Sequence, residues 1–399
     1  MIISPQEKKH YRIAISHLGF RPFFLLGSLY GAIAMALWLL TMQFNLQFDA
    51  INRIGAINWH GHEMIYGYGM AVIGGFLLTA VRNWTSIQTL HGTGLIVLAL
   101  FWLLARIALL IPGENYLWLA AVCDLVFNLW LCAALIQPIV KVRQWAQVGL
   151  LSKVILLAAS NALFYAELLY GMENGIRWSL YSGIYLIISL ILLMGRRVIP
   201  FFIERGVGYM VSLRNRNWVD RSNLIAMLVF WVVAVFTPYT TVAGVLALAL
   251  SMLQGIRLYD WHTPGIWKKP LVWVLYLAYI WLTLGFLLTA LALFGLIDGK
   301  PALHALSVGG IGMVTMGMMA RVAYGHTGRN VFEPPRYLGP LFALLFTAAV
   351  IRVFGALFDM NHYLLWIGSS QLLWIIALGG FGLLYAPLLI KPRVDGSYG

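Results

Sequence analysis

Twelve long apolar stretches, near 22–43, 62–81, 92–111, 116–136, 148–169, 178–199, 222–238, 242–257, 271–295, 302–322, 338–358 and 364–388, divide the sequence and leave short connections between them. A hydrocarbon core about 30 Å thick takes about 20 consecutive apolar residues per helix. Each stretch therefore predicts one membrane span. Backbone in lipid must satisfy its own hydrogen bonds, and a run of this length does so as a helix. The expected fold is all-α: a polytopic membrane protein of about twelve transmembrane helices, with residues 1–399 forming one transmembrane domain. Only 10% of the residues are charged, against about 25% in a soluble domain. That excludes an ordinary soluble enzyme, and a disordered chain even more firmly. The seventh and eighth stretches, parted only by a hairpin around Pro238, are the hardest to separate as two spans.

Charge sets the expected orientation. Of the 27 Lys and Arg residues, Arg106 and Arg352 fall in the outer half of stretches, and Arg53, Arg177 and Lys300 fall in the connections on that same side. All the others fall on the opposite side. Lys and Arg accumulate in cytoplasmic loops, which places both termini in the cytoplasm. Residues 1–21 then form a cytoplasmic segment and 200–221 a basic cytoplasmic loop. Topology accounts for the net charge of +13, so no nucleic acid is expected. Met1–Gly19 carries charges but no small-residue cleavage site, and the first run reads as an uncleaved span. Cys123 and Cys132 make no CxxC and read as small buried hydrophobes.

Ionisable residues inside a membrane are costly and face the bundle interior. Here His62 and Glu63 open span two, Arg106 and Asp124 lie in spans three and four, Arg352 lies in span eleven and His304 begins span ten. All fall in the outer half. Ion pairing, for example Arg106 with Asp124, accounts for any one of them. Together with histidines at one depth, the set suits an embedded haem, whose propionates take Arg partners and whose iron takes axial histidines. His62 and His304 are the expected haem ligands, with Arg106 and Arg352 on the propionates. Tyr66 and Gly69 follow His62 along one helix face, and Gly69 leaves room there for a flat macrocycle. Glu63 and Asp124 are the expected proton-relay groups.

In Trp59-His60-Gly61-His62-Glu63, a regular helix would point the two imidazoles about 200° apart. An extended segment would put them on one side. If the helix begins at or after His62, both histidines could chelate one copper or zinc ion, with His60 and Glu63 at or near this second metal. His304 and His326, 22 positions apart, differ by about 33 Å in helical rise and belong to two sites. His304 faces the layer of His60 and His62. His326, in Gly325-His-Thr-Gly-Arg329, lies near Arg82, Arg321 and Arg329 on the inner side. It reads either as part of a helix C-cap built by Gly325 or as the end of a pocket for a quinol head group or second cofactor. His10, His17, His91 and His262 read as solvated. In span ten, Met316 and Met319 read as packing residues, and Gly309, Gly312 and Gly317 as a smooth face for close approach.

Several segments together resemble the NnrS family of bacterial inner-membrane proteins. They are Gly19-Phe-Arg-Pro-Phe-Phe24, Trp59-His-Gly-His-Glu-Met64, Gly75-Phe-Leu-Leu-Thr-Ala80 with Asn83-Trp-Thr85, Gly195-Arg-Arg-Val-Ile-Pro-Phe-Phe202, and His304-Ala-Leu306 leading to Ala320-Arg321 and Gly325-His-Thr-Gly-Arg329. The resemblance implies twelve spans, bound haem (a b-type haem) and copper, and a role in resistance to nitric oxide and nitrosative stress. A looser likeness joins it to haem-copper oxidases, where spans two and ten hold a haem by two histidines. The chain has no histidine set on spans six and seven, where those enzymes hold copper, and is not placed among them. The functions in view are a haem- and copper-containing protein that binds or reduces nitric oxide, with a quinol or other electron donor; a haem or metal transporter; and a non-catalytic sensor or assembly protein.

Overall fold

The computed structural model describes residues 12–399; Lys8, Lys9 and His10 lie outside them. Among the described residues there are helices and no strands. We number the long helices α1 Phe20–Phe44, α2 Ala56–Thr85, α3 Gly92–Ala108, α4 Glu114–Lys141, α5 Trp145–Tyr170, α6 Gly175–Gly206, α7 Asn217–Phe236, α8 Thr240–Trp261, α9 Pro270–Leu293, α10 Gly299–His326, α11 Leu338–Phe358 and α12 Met360–Ile390. All but α3 are long and apolar enough to cross a membrane. With its 17 residues, α3 rises about 26 Å and sits at the short limit for a span. The chain is a multi-pass membrane protein.

Every expected span has its helix, and α7 and α8 are separate. The boundaries moved. Helix α6 runs through Pro200 to Gly206, so the first residues of the expected 200–221 loop are helical. In a packed bundle neighbouring groups absorb the hydrogen bond that an internal proline removes. Helix α2 starts at Ala56, before the histidines, a difference with consequences for the site.

The first described residues and the C-terminal segment meet at one end of the bundle. The Ala14 amide donates to the Ile390 carbonyl at 2.8 Å. The buried Arg21 guanidinium donates to the main-chain oxygens of Leu388, Leu389, Lys391 and Gly399. His17, expected in solvent, is buried beside them with its ring stacked on Tyr398 at 4.2 Å.

Helices α2 and α10 are the most buried of the spans, and α7 and α8 the least. The glycine face of α10 explains its central place. A Cβ on Gly309 would lie 2.4 Å from the Trp281 ring, and one on Gly312 2.8 Å from the Trp374 ring. These glycines admit neighbouring helices, as small residues do in membrane interfaces. Overpacking a filled contact costs about 1–3 kcal/mol, and an indole with its ring against the backbone has little room to yield. Gly309→Ala is therefore expected to lower the thermal midpoint in detergent. Gly255→Ala on α8, where a Cβ would meet nothing within 4 Å, is expected to leave it unchanged or slightly raised. Equal midpoints for the two variants would refute this account of α10.

Candidate functional site

The histidine pair on α2 is helical. Residues Ala56–His62 form its first turns, so the extended segment that shared chelation by His60 and His62 requires does not form. Side chains two apart on a helix point about 200° from each other, and the two rings enter different surroundings.

His62 enters a fully buried polar cluster. Its Nδ1 lies 2.7 Å from Glu63 Oε1, and its Nε2 lies 2.9 Å from Asn161 Oδ1 and 3.6 Å from Asp124 Oδ2. Arg106 donates from Nη1 to Glu63 Oε1 at 2.7 Å and from Nη2 to Asp124 Oδ2. Tyr30 donates to Glu63 Oε2, and Tyr165 to Asp124 Oδ2 at 2.8 Å. His62 also stacks on Phe164 at 4.2 Å. Spans α1 to α5 all contribute. Such a cluster holds because two carboxylates face one guanidinium and one imidazole whose nitrogens both look onto oxygen acceptors, so no charge stands alone. His62 has no ring nitrogen turned to open space. Arg106, expected on a propionate, is occupied by the two carboxylates, and Glu63 and Asp124 are closed in with it. Tyr66 turns to α6 and donates to the Ser179 carbonyl at 2.8 Å. The space beside Gly69 is taken by Ile187, whose Cδ1 would sit 3.1 Å from an added Cβ.

His60 points the other way. Its ring stacks on Trp38 at 4.8 Å with the planes 9° apart, and its Nδ1 is buried with no hydrogen-bond partner. His60, His304 and Arg352 lie within electrostatic range of one another. His304 Nδ1 pairs with the Lys300 carbonyl at 2.7 Å. That contact holds the ring by Nδ1, the arrangement usual in histidines that ligate a metal through Nε2. Arg352 Nη1 is buried without a partner. Both imidazoles are half-buried. The structure thus brings together His60, His304 and Arg352, and sets His62 apart from them.

The backbone marks the same layer. Three π-helical stretches occur among the described residues: Glu63–Gly69 after His62, Ala305–Gly312 after His304, and Ile351–Gly355 around Arg352. π-Helical turns carry wider hydrogen bonding than an α-helix and recur at functional sites. All three lie at the end of the bundle opposite the C-terminal segment.

His326 stands at the other end, as its spacing from His304 predicts. Its helix closes in a Schellman motif: Gly328 has φ +79°, its amide donates to Gly325, and the Arg329 amide donates to Tyr324. The cap glycine is Gly328, where Gly325 was expected. The residue that must adopt positive φ lies beyond the last helical one, and that is Gly328. Arg82 lies within electrostatic range of His326. Arg321 sits over the Phe202 ring at 3.7 Å, and Arg329 Nη1 is buried without a partner.

Among the described residues no group of three or more His, Cys, Asp or Glu side chains is placed to hold a metal ion. Sequence reasoning also passed over Asn161, Tyr30 and Tyr165, which complete the charge cluster, and Trp38, which supports His60. Only Asn161 had a visible signal, as an amide within an apolar run.

Residues 14–393, nearly the whole chain, match the family model described as NnrS protein. The chain belongs to the NnrS family. A comparison with curated proteins finds no match. The motifs that carried the resemblance now have places in the NnrS fold. His60 to Met64 span the turn where α2 passes from α-helix to π-helix. Phe20 donates its amide to Thr79 at 3.1 Å and so joins the α1 and α2 motifs.

Proposed function

We propose that this NnrS protein holds a haem between α2 and α10, where His60 and His304 would hold the iron and Arg352 would pair with a propionate, and that the haem serves nitric oxide defence. The observation that carries the reading is a pair of buried nitrogens without a hydrogen-bond partner, His60 Nδ1 and Arg352 Nη1, beside His304, whose ring is held by Nδ1 on the Lys300 carbonyl. Buried polar atoms are almost always hydrogen-bonded, so orphans gathered in one layer point to a group that would satisfy them. Bound there, haem would supply one-electron chemistry, and would take up nitric oxide only where one of the two histidines gives way to it. Trp38 fixes the plane of the His60 ring by stacking. The cluster of His62, Glu63, Arg106 and Asp124 anchors the opposite face of the same turn and so positions His60. Glu63 and Asp124 act in this reading through that anchoring. Copper takes no part in the proposal. With the basic loops in the cytoplasm, the haem site lies in the periplasmic half of a bacterial inner membrane.

The test is an optical spectrum of the purified protein, taken before and after nitric oxide. A Soret band that shifts with nitric oxide and vanishes in His304→Ala is expected. A protein that folds in haem-replete cells yet shows no Soret band would end the proposal.

A further inference from the structure

A second feature of the bundle lies away from the histidine layer and has no part in the haem reading. Helix α6 packs against the first half of α2 and parts from its second half. The space between them holds two cavities, of about 240 Å³ and about 90 Å³, which share Phe76, Met194, Val198 and Met318 as walls. They adjoin along those walls, end to end. The smaller runs toward mid-membrane between Val72, Ile187 and Val314 and is lined almost wholly by apolar side chains. The larger reaches Thr79, Asn83, Trp84, Arg197, Phe202 and His326, at the end of the bundle that holds the C-terminal segment.

The two ends ask for an amphiphile with one slender tail and a compact polar head. The head end supplies an amide and an imidazole that scarcely engage each other: Asn83 Nδ2 and His326 Nε2 are 3.5 Å apart, at the outer limit of a hydrogen bond. Between them they can donate to and accept from a neutral oxygen-bearing ring. Trp84, Phe76 and Phe202 offer aromatic faces against which such a ring can lie. An acidic phospholipid head would need several cations facing it. Among the described residues Arg197 is the one Lys or Arg lining this end, Arg82, Arg393 and Arg21 act on His326 from outside the lining, and Arg321 is turned onto the Phe202 ring. The apolar cavity, about 90 Å³, is too small for two acyl tails side by side and admits only the first part of one chain.

We propose that these cavities bind a prenylated quinone, its ring between Asn83 and His326 and the first part of its tail between Val198 and Met318. The inference stands whether or not His60 and His304 bind haem, because no residue is shared between the two sites.

The experiment is equilibrium binding of decylubiquinone to the purified full-length protein, by calorimetry in detergent micelles, with haem content recorded on the same samples. One saturable site is expected. Asn83→Leu and His326→Leu should each weaken it roughly five- to tenfold, the effect of losing one hydrogen bond to a neutral partner. Val198→Trp should block it by filling the tail cavity. Asn83 is exposed, so its variant remains informative if His326→Leu fails to fold. Absence of saturable binding, or binding indifferent to all three substitutions, overturns the proposal. Displacement of the quinone by phosphatidylglycerol in nanodiscs also overturns it, and would assign the cavities to an acidic lipid.

Discussion

Arg106→Met is expected to be the most destabilising single substitution in this protein, at about 3–5 kcal/mol, the usual cost of removing one partner from a buried ion pair. The reason is local and countable. Among the described residues Arg106 is the only guanidinium reaching both Glu63 and Asp124, all three being buried to 1% exposure or less. Without it two carboxylates face one imidazole in a region that water does not reach. Arg106→Lys should fall between, since an ammonium cannot fork onto two carboxylates as a guanidinium does. The triple variant Arg106→Met, Glu63→Gln, Asp124→Asn should recover much of the loss, because replacing a whole buried network by neutral groups is far cheaper than breaking it. Thermal unfolding of detergent-purified protein, followed by its monodisperse fraction, checks the order wild type, triple variant, Arg106→Lys, Arg106→Met. A midpoint for Arg106→Met equal to that of the wild type would contradict the structural role of the cluster.

The second large effect separates two histidines that sequence alone cannot rank. His60→Ala is expected to lose most of the haem per folded protein, as His304→Ala does, whereas His62→Gln should retain most of it. An axial ligand must present a nitrogen lone pair to iron. Both nitrogens of His62 face oxygen atoms, at 2.7 and 2.9 Å, while His60 Nδ1 has no partner. Glutamine at position 62 keeps hydrogen-bonding capacity toward Glu63 and Asn161, so the variant tests ligation more than folding. Pyridine haemochrome content divided by folded protein is the measurement, and added imidazole should restore the His60→Ala spectrum in part. Haem lost from His62→Gln and kept by His60→Ala would reverse the assignment.

The site was half visible in the sequence. Residue types and their depth followed from counting along apolar runs: His60, His304 and Arg352 fall in one layer because 1.5 Å per residue is a property of the helix and not of the packing. The separation of His304 from His326 followed from the same number. The partition of the α2 histidines did not follow. It turns on where a helix begins, and sequence places helix ends only to within a few residues. Starting α2 at Ala56 instead of at His62 sends the two rings to opposite faces. Arg106 was read correctly as a possible partner of Asp124, yet Asn161, Tyr30 and Tyr165 could not be joined to them. Those contacts link residues 41 and 99 positions apart or lie between α1 and α2, and helix order alone does not say which helices touch. The three π-helical stretches had no sequence signal.

What the sequence determined by itself was the membrane, the helices and the layer in which charge is found. Each of these is a one-dimensional property: an apolar run long enough to span, a periodic rise, and a charged side chain whose desolvation must be answered somewhere. The tertiary structure alone decided which charges answer one another and which groups were left over. Pairing depends on the rotation and neighbours of each helix, and these are set by contacts such as Gly309 against Trp281. Glu63, Arg106 and Asp124 were consumed by pairing with His62. In the same layer His60 Nδ1 and Arg352 Nη1 were left without partners near His304, and the proposed function rests on that remainder.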